Sequence, residues 1–183
     1  MWISAPAWAQ SREDYCGDRL PGAPTQAATQ VRGARYVNNA YGYSVSIPDG
    51  LQPLISANGP ERGFVILLSQ GLRAYLRVDA SYDVFYDITA DGVHRRDLNT
   101  IRLHDAVLGD DSSAVAMASE PGVRAVIRLQ CRGRDDIRVH EEVITVRYRE
   151  IYRIDLQSTP DRLGADERTL NALLKSWRWE PIR

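Results

Sequence analysis

The stretch Glu150-Ile-Tyr-Arg-Ile-Asp-Leu-Gln-Ser-Thr-Pro-Asp-Arg-Leu-Gly-Ala-Asp-Glu-Arg-Thr-Leu-Asn-Ala-Leu-Leu-Lys-Ser-Trp-Arg-Trp179 changes period in its middle. Residues 150–157 read as a strand. Thr159-Pro160-Asp161 is a polar turn with proline near a helix start. Leu170, Leu173, Leu174 and Trp177 then fall at i, i+3, i+4 and i+7, the apolar stripe of an amphipathic helix. Trp179 lies just beyond, which predicts a docked final turn. Strands in series followed by a terminal helix make an α+β domain with the helix packed on a central antiparallel sheet.

Working back from this stretch, the earlier chain is a succession of strand signals. Residues 34–37 and 42–47 read as two short strands, the second ended by the turn Pro48-Asp49-Gly50. Residues 64–68 form a short apolar run suited to a buried strand. From Ala74 to Ile88 the chain alternates throughout. Ala74, Leu76, Val78 and Ala80 share one face; Tyr75, Arg77, Asp79 and Ser81 share the other. Fifteen residues exceed the usual strand length, so a bend is expected. Residues 93–108 are ambiguous, with His94, Leu98 and Ile101 fitting a weak helical stripe. Residues 114–117, 123–131, 137–146 and 150–157 read as a meander of strands.

Composition bounds the function. The chain has 183 residues, 44% apolar and 26% charged, which suits one globular unit with a real core. The formal charge is −1, whereas domains built for nucleic acid are usually basic. Arginines spread over the later strands lack the interleaved aromatics that stack bases. No apolar run approaches the length of a bilayer span. Only one of the 23 basic residues is lysine, a skew spread along the whole chain.

The first residues speak about compartment. Ala7-Trp8-Ala9 before Gln10 has the small-x-small form of a signal-peptidase site, but no basic region or apolar core precedes it. The expectation is a signal-peptide remnant over 1–9, an upstream start, a mature chain from about Gln10, and a tail over 10–33. The folded domain is expected over 34–183. Cys16 and Cys131 are the only two cysteines. Cys131 ends a strand with Val123, Ala125, Ile127 and Leu129 on its face, so it points inward. An even count in an exported protein favours one Cys16–Cys131 disulfide. Closing so long a loop adds about 4 kcal/mol in the chain-entropy model.

Two stretches resemble a known family. The first is Tyr36-Val-Asn-Asn-Ala-Tyr-Gly-Tyr-Ser-Val-Ser-Ile-Pro-Asp-Gly-Leu51, similar to the aromatic-Gly-aromatic-Ser-Val/Ile-x-x-Pro signature of PsbP-like proteins. The second is Leu170-Asn-Ala-Leu-Leu-Lys-Ser-Trp-Arg-Trp179, which resembles their closing helix. The resemblance implies an α/β/α sandwich with a central antiparallel sheet. The superfamily includes extrinsic photosystem II subunits, envelope lipoproteins and periplasmic immunity proteins of secreted toxins. It transfers no functional residue, and no second helix is obvious in the middle of this chain.

Candidate chemistry is sparse. Asp79, Asp83 and Asp87 recur every four residues on the charged face, an acidic ladder that could meet a protein partner. Carboxylates four apart on a straight strand lie roughly 13 Å from one another, too far for one calcium ion. His94, His104 and His140 lack the i, i+4 spacing of a helical zinc site, and no metal is expected. Glu141 and Glu142 are adjacent and should face opposite sides of a strand. There is no nucleophile elbow, and an inward, paired Cys131 is a poor nucleophile. No cofactor is expected. The sequence therefore predicts an exported, periplasmic or secreted, non-enzymatic module that binds a protein, of immunity or envelope-accessory type; a secreted toxin is one such partner. A small-ligand or ion-binding module is the alternative, and a hydrolase the third.

Overall fold

The computed structural model describes residues 27–55, 61–69, 74–82, 89–131 and 135–181. In chain order the elements are β1 (Val31–Arg32), β2 (Arg35–Asn38), β3 (Tyr43–Ser46), β4 (Pro53–Ile55), β5 (Gly63–Leu67) and β6 (Tyr75–Tyr82). They continue as α1 (Ala90–His104), β7 (Ala106–Met117), β8 (Glu120–Gln130), β9 (Ile137–Arg147), β10 (Glu150–Ser158), α2 (Leu163–Ser176) and β11 (Arg178–Trp179). Seven strands form one antiparallel sheet in the order β4-β5-β6-β10-β9-β8-β7. A smaller antiparallel sheet runs β1-β2-β3-β11.

Side-chain alternation sorts the large sheet into two faces. Leu76, Val78, Val143, Tyr152, Ile154 and Leu156 point one way into the main core. There they meet Tyr36, Tyr43 and Val45 of the small sheet and Leu170, Leu173 and Trp177 of α2. Ile127, Leu129, Ile144 and Ile151 point the other way and carry α1 through Ala90, Val93, Leu98 and Ile101. The large sheet is therefore a middle layer between α1 on one side and α2 with the small sheet on the other.

The terminal helix has the expected buried stripe: Leu170, Leu173 and Trp177 are buried and Leu174 is half-buried. It starts at Leu163, two residues after the predicted turn. In place of a side-chain cap, its first turn is tied down by Asp166, which accepts from Ser158 Oγ at 2.7 Å and from Arg162 at 3.0 Å.

The middle helix is where the structure adds to the sequence. Thr89 caps α1, accepting the Gly92 N–H at 3.1 Å. His94, Leu98 and Ile101 do form its buried face, with Ala90 and Val93. The stripe was weak because a histidine and an alanine fill two of its five buried positions. β1 lies within the stretch expected to be a tail, and Ala27 bridges Leu54. β7 is eight residues longer toward its N-terminus than the run 114–117 suggested. Its Gly109-Asp-Asp-Ser-Ser113 segment has poor strand propensity, and the polar side chains blunt an exposed edge.

The two family-like stretches meet in space. Tyr43 registers with Trp179 and Ser44 with Arg178, and the Glu180 N–H donates to Gly42 O at 2.8 Å. The Tyr43 ring stacks on Trp177 with centroids 4.6 Å apart and planes 9° apart. Tyr152 stands edge-on to Tyr43, Trp177 and Trp179. One aromatic knot thus ties the small sheet, α2 and the centre of the large sheet together.

Candidate functional site

The first candidate is a surface at one end of the large sheet. Two tight hairpins turn there, β7–β8 at Ala118-Ser119 and β9–β10 at Tyr148-Arg149. Two-residue hairpin turns favour Asn-Gly because both central residues take positive φ. Here Ala118, Ser119, Tyr148 and Arg149 take φ of 46°, 74°, 51° and 68°. Each such residue costs about 1–2 kcal/mol relative to right-handed backbone. Non-glycine residues held in this region cluster at functional positions.

These turns display aromatic and charged side chains, with Arg147 paired to Glu120 at 3.2 Å. Tyr148 is 73% exposed and Tyr82, at the end of β6, is 55% exposed. Glu150 registers with Tyr82, so the two tyrosines border the same rim. The Arg149 guanidinium sits 5.6 Å from the Tyr82 ring. The Arg147 guanidinium lies 4.6 Å from both the Tyr148 and Trp179 rings. Trp179 in turn donates to Ala118 O at 3.1 Å, tying this rim to the aromatic knot. Tyrosine and arginine on a rigid support are the residues that dominate protein-binding hot spots.

The second candidate is a buried polar cluster beneath α1. Glu142 of β9, 1% exposed, accepts from His94 Nδ1 at 2.5 Å and faces His140 Nε2 at 3.7 Å. Asp155 of β10, registered opposite Glu142, pairs with Arg77 at 2.6 Å. Arg153 pairs with Asp97 of α1 at 2.6 Å, and His94 Nε2 lies 3.4 Å from Asp110. Burial pushes the Glu142 carboxyl up, but hydrogen bonds from His140 and His94 outweigh it and hold the group down to about 2. Burial pushes Asp97 up to about 6, with Arg153 opposing. The hydrogen bond to Glu142 raises His94 against the lowering effect of burial. His140, Glu142 and Asp155 each bring one ligand atom within 4.8 Å of the others. They are the residues of the described chain with the donor set to hold a metal ion.

The sequence-predicted positions fall as follows. Asp79 is buried at the joint of β5, β6 and β10, where Arg62 pairs with it at 2.7 Å. Burial raises its carboxyl, against the pull of Arg62, Arg77 and Arg153. It is therefore taken up by the sheet's own ion pair and is not displayed to solvent. Asp83 and Asp87 lie outside the described residues, so the acidic ladder as a set is not placed. Cys131 is buried beside Leu98, Ile101, Ile127 and Leu129. Among the described residues no cysteine is a free thiol. Cys16 lies outside the described residues. Glu141 and Glu142 do face opposite sides: Glu141 takes Arg124 on the α2 side, Glu142 takes His94 on the α1 side. His104 is exposed at the end of α1 and joins neither candidate.

Neither the tyrosine–arginine rim nor the His140–Glu142–Asp155 group was foreseen. The turn at Tyr148-Arg149 carries no Asn-Gly signal, and without it the β9–β10 register that places Asp155 beside Glu142 is not fixed. His140-x-Glu142 was visible as an i, i+2 pair sharing a strand face.

No protein-family model matches the chain. No curated protein matches it in sequence. Solved structures do match in fold. The solution structure of cyanobacterial PsbP (CyanoP) from Synechocystis sp. PCC 6803 superposes with a TM-score of 0.57 at 17% identity, covering 88% of this chain and 97% of that one. LpqN of Mycobacterium tuberculosis, described as involved in cell envelope biogenesis, gives 0.53 at 12% identity over 86% and 90% of the two chains. The Ran-binding protein Mog1p of Saccharomyces cerevisiae gives 0.52 at 9% identity over 79% and 94%. The α+β sandwich built around the Tyr43–Trp177 knot is the PsbP-like fold.

Proposed function

We propose that this chain is an exported, non-enzymatic module that binds a protein in the bacterial envelope, as an accessory or immunity-type protein, through the Tyr82–Tyr148–Arg149 rim. The observation that carries the reading is the rim itself: Tyr148 and Arg149 on a strained hairpin turn, with exposed Tyr82 and the half-buried Arg147 at the ends of β6 and β9 beside them, braced from below by Trp179. A rigid sheet end with loops carrying the contacts is a common way for a small domain to work by binding. The fold neighbours lend support, because one is described by its role in envelope biogenesis and another by the protein it binds. No helix among the described residues is long and apolar enough to cross a membrane. Asp83, next to Tyr82 in the chain, and Asp87 remain proposed partner-binding residues. A secreted toxin is one partner that an immunity-type protein would meet there. The export reading brings with it the Cys16–Cys131 disulfide.

The non-enzymatic part of the proposal rests on where the ionisable groups are. His94, His140, Glu142 and Asp155 are buried in the sheet–helix interface and paired with one another or with arginine. Groups in that position do not meet substrate without displacing α1. The test is a photo-crosslinking residue at position 148 in the full chain, expressed in its native host, with position 100 on α1 as control. A discrete protein adduct from 148 and none from 100 is expected. Equal labelling from both positions, or none, contradicts the docking surface. Reproducible hydrolase activity lost on changing His94 or His140 would overturn the non-enzyme proposal.

A further inference from the structure

We propose that His140, Glu142 and Asp155 form a buried three-ligand site for one divalent cation of the zinc class beneath α1. This proposal is independent of the docking rim. His140 and Glu142 are two apart on β9 and share its α1 face, and Asp155 is registered opposite Glu142 on β10. Imidazole nitrogen and carboxylate oxygen are ligands suited to zinc, with bonds of about 2.0–2.2 Å. Ligand atoms in such a site lie roughly 3–4 Å apart. The three here lie within 4.8 Å, so the set closes by about an ångström on binding.

The carboxylates are held as metal ligands are held. Glu142 Oε1 accepts from His94 Nδ1 at 2.5 Å, and its Oε2 faces His140 at 3.7 Å. Asp155 Oδ2 accepts from Arg77 Nε at 2.9 Å and from its terminal nitrogen at 2.6 Å. Asp155 Oδ1 is buried and has no hydrogen-bond partner. Asp155 thus has one oxygen fixed by Arg77 and one left for a further contact, while Glu142 is oriented by His94 and His140. Outer-shell partners that orient ligands in this way accompany most protein metal sites. A buried carboxylate oxygen without a partner is costly, and a cation removes that cost.

Charge points the same way. Asp97, Asp110, Glu142 and Asp155 supply four negative charges, and Arg77 and Arg153 return two. Arg96, a partly exposed side chain, lies 3.8 Å from Asp97. The rest is balanced either by one dication held with neutral imidazoles or by two imidazolium rings. The dication also satisfies Asp155 Oδ1. All three ligand residues are no more than 4% exposed, so the ion enters as the chain folds.

The full chain is unfolded in chelator, refolded with Zn2+ or Co2+ at pH 7.5, and dialysed. One tightly held ion per chain is expected, with a visible Co2+ spectrum of low-coordinate N/O ligation and a melting temperature several degrees above that of the chelated protein. Asp155→Asn and His140→Gln should each weaken Zn2+ binding about a hundredfold or more. His94→Gln, which leaves all three ligands in place, should weaken it about tenfold to a hundredfold. His104→Gln should change nothing. Should a ligand variant fail to fold, wild-type protein decides. Substoichiometric metal after refolding, or imidazole nitrogen NMR showing His94 and His140 both doubly protonated under saturating Zn2+, would overturn the site. So would stoichiometric binding unaffected by all three cluster variants.

Discussion

Replacing Trp177 by alanine should remove about 3–5 kcal/mol of folding stability. Trp177 is 3% exposed and is stacked on Tyr43 at 4.6 Å, with Tyr152 at 6.2 Å and Trp179 at 5.6 Å edge-on. A buried tryptophan removes roughly 200 Å² from water, worth about 5 kcal/mol at 25 cal/mol per Å². Residual compactness of the unfolded chain lowers this to about 3–4.5 kcal/mol, within the range seen for Trp→Ala in cores. That is a large part of the roughly 5–15 kcal/mol that holds a typical domain together. Urea unfolding followed by far-UV circular dichroism measures the loss without depending on the deleted fluorophore. A double-mutant cycle with Tyr43→Leu should add a coupling of about 0.5–1.5 kcal/mol for the stacked pair. A loss under about 1 kcal/mol, or no coupling, would refute the reading that the two family-like stretches form one knot.

Gly63→Ala should destabilise by at least about 1–3 kcal/mol, since a Cβ there would lie 1.9 Å from Val78 O, a backbone atom that moves only with β6; a variant melting within a degree of wild type would contradict the β5–β6 approach. Thiol labelling of denatured, unreduced protein from the periplasm should find no free thiol, because Cys16 and Cys131 are expected to be paired; two labelled cysteines would reject the bond.

The sequence carried the layers better than the site. Strict alternation over Ala74–Ala80 and the 3.6-residue stripe from Leu170 to Trp177 each report a single buried face, and periodicity reads such faces directly. α1 was harder because its buried face holds His94, which is there to meet Glu142 and not to fill apolar volume. Periodicity cannot tell such a residue from a surface one. Asp79 failed in the opposite sense: its phase on the charged face was read as exposure, yet that face is the α1 side of a covered sheet. Its neighbours are charged because Arg77 and Asp155 pair across strands there and Arg153 pairs with Asp97 of α1. The Tyr148-Arg149 turn breaks the usual turn chemistry, so both the rim and the register behind the buried cluster needed coordinates. Places where local rules fail in this way are where function tends to reside.

The central claim is tested most directly by the affinity of the protein crosslinked through position 148. Its dissociation constant should be measured for wild type and for Tyr82→Ala with Tyr148→Ala, at low and at physiological salt. Both tyrosines are exposed, so the melting temperature should be unchanged. Two hot-spot truncations should weaken binding by about thirtyfold or more, corresponding to about 2 kcal/mol or more. An affinity within twofold of wild type, from a variant with an intact fold, would contradict docking through this rim.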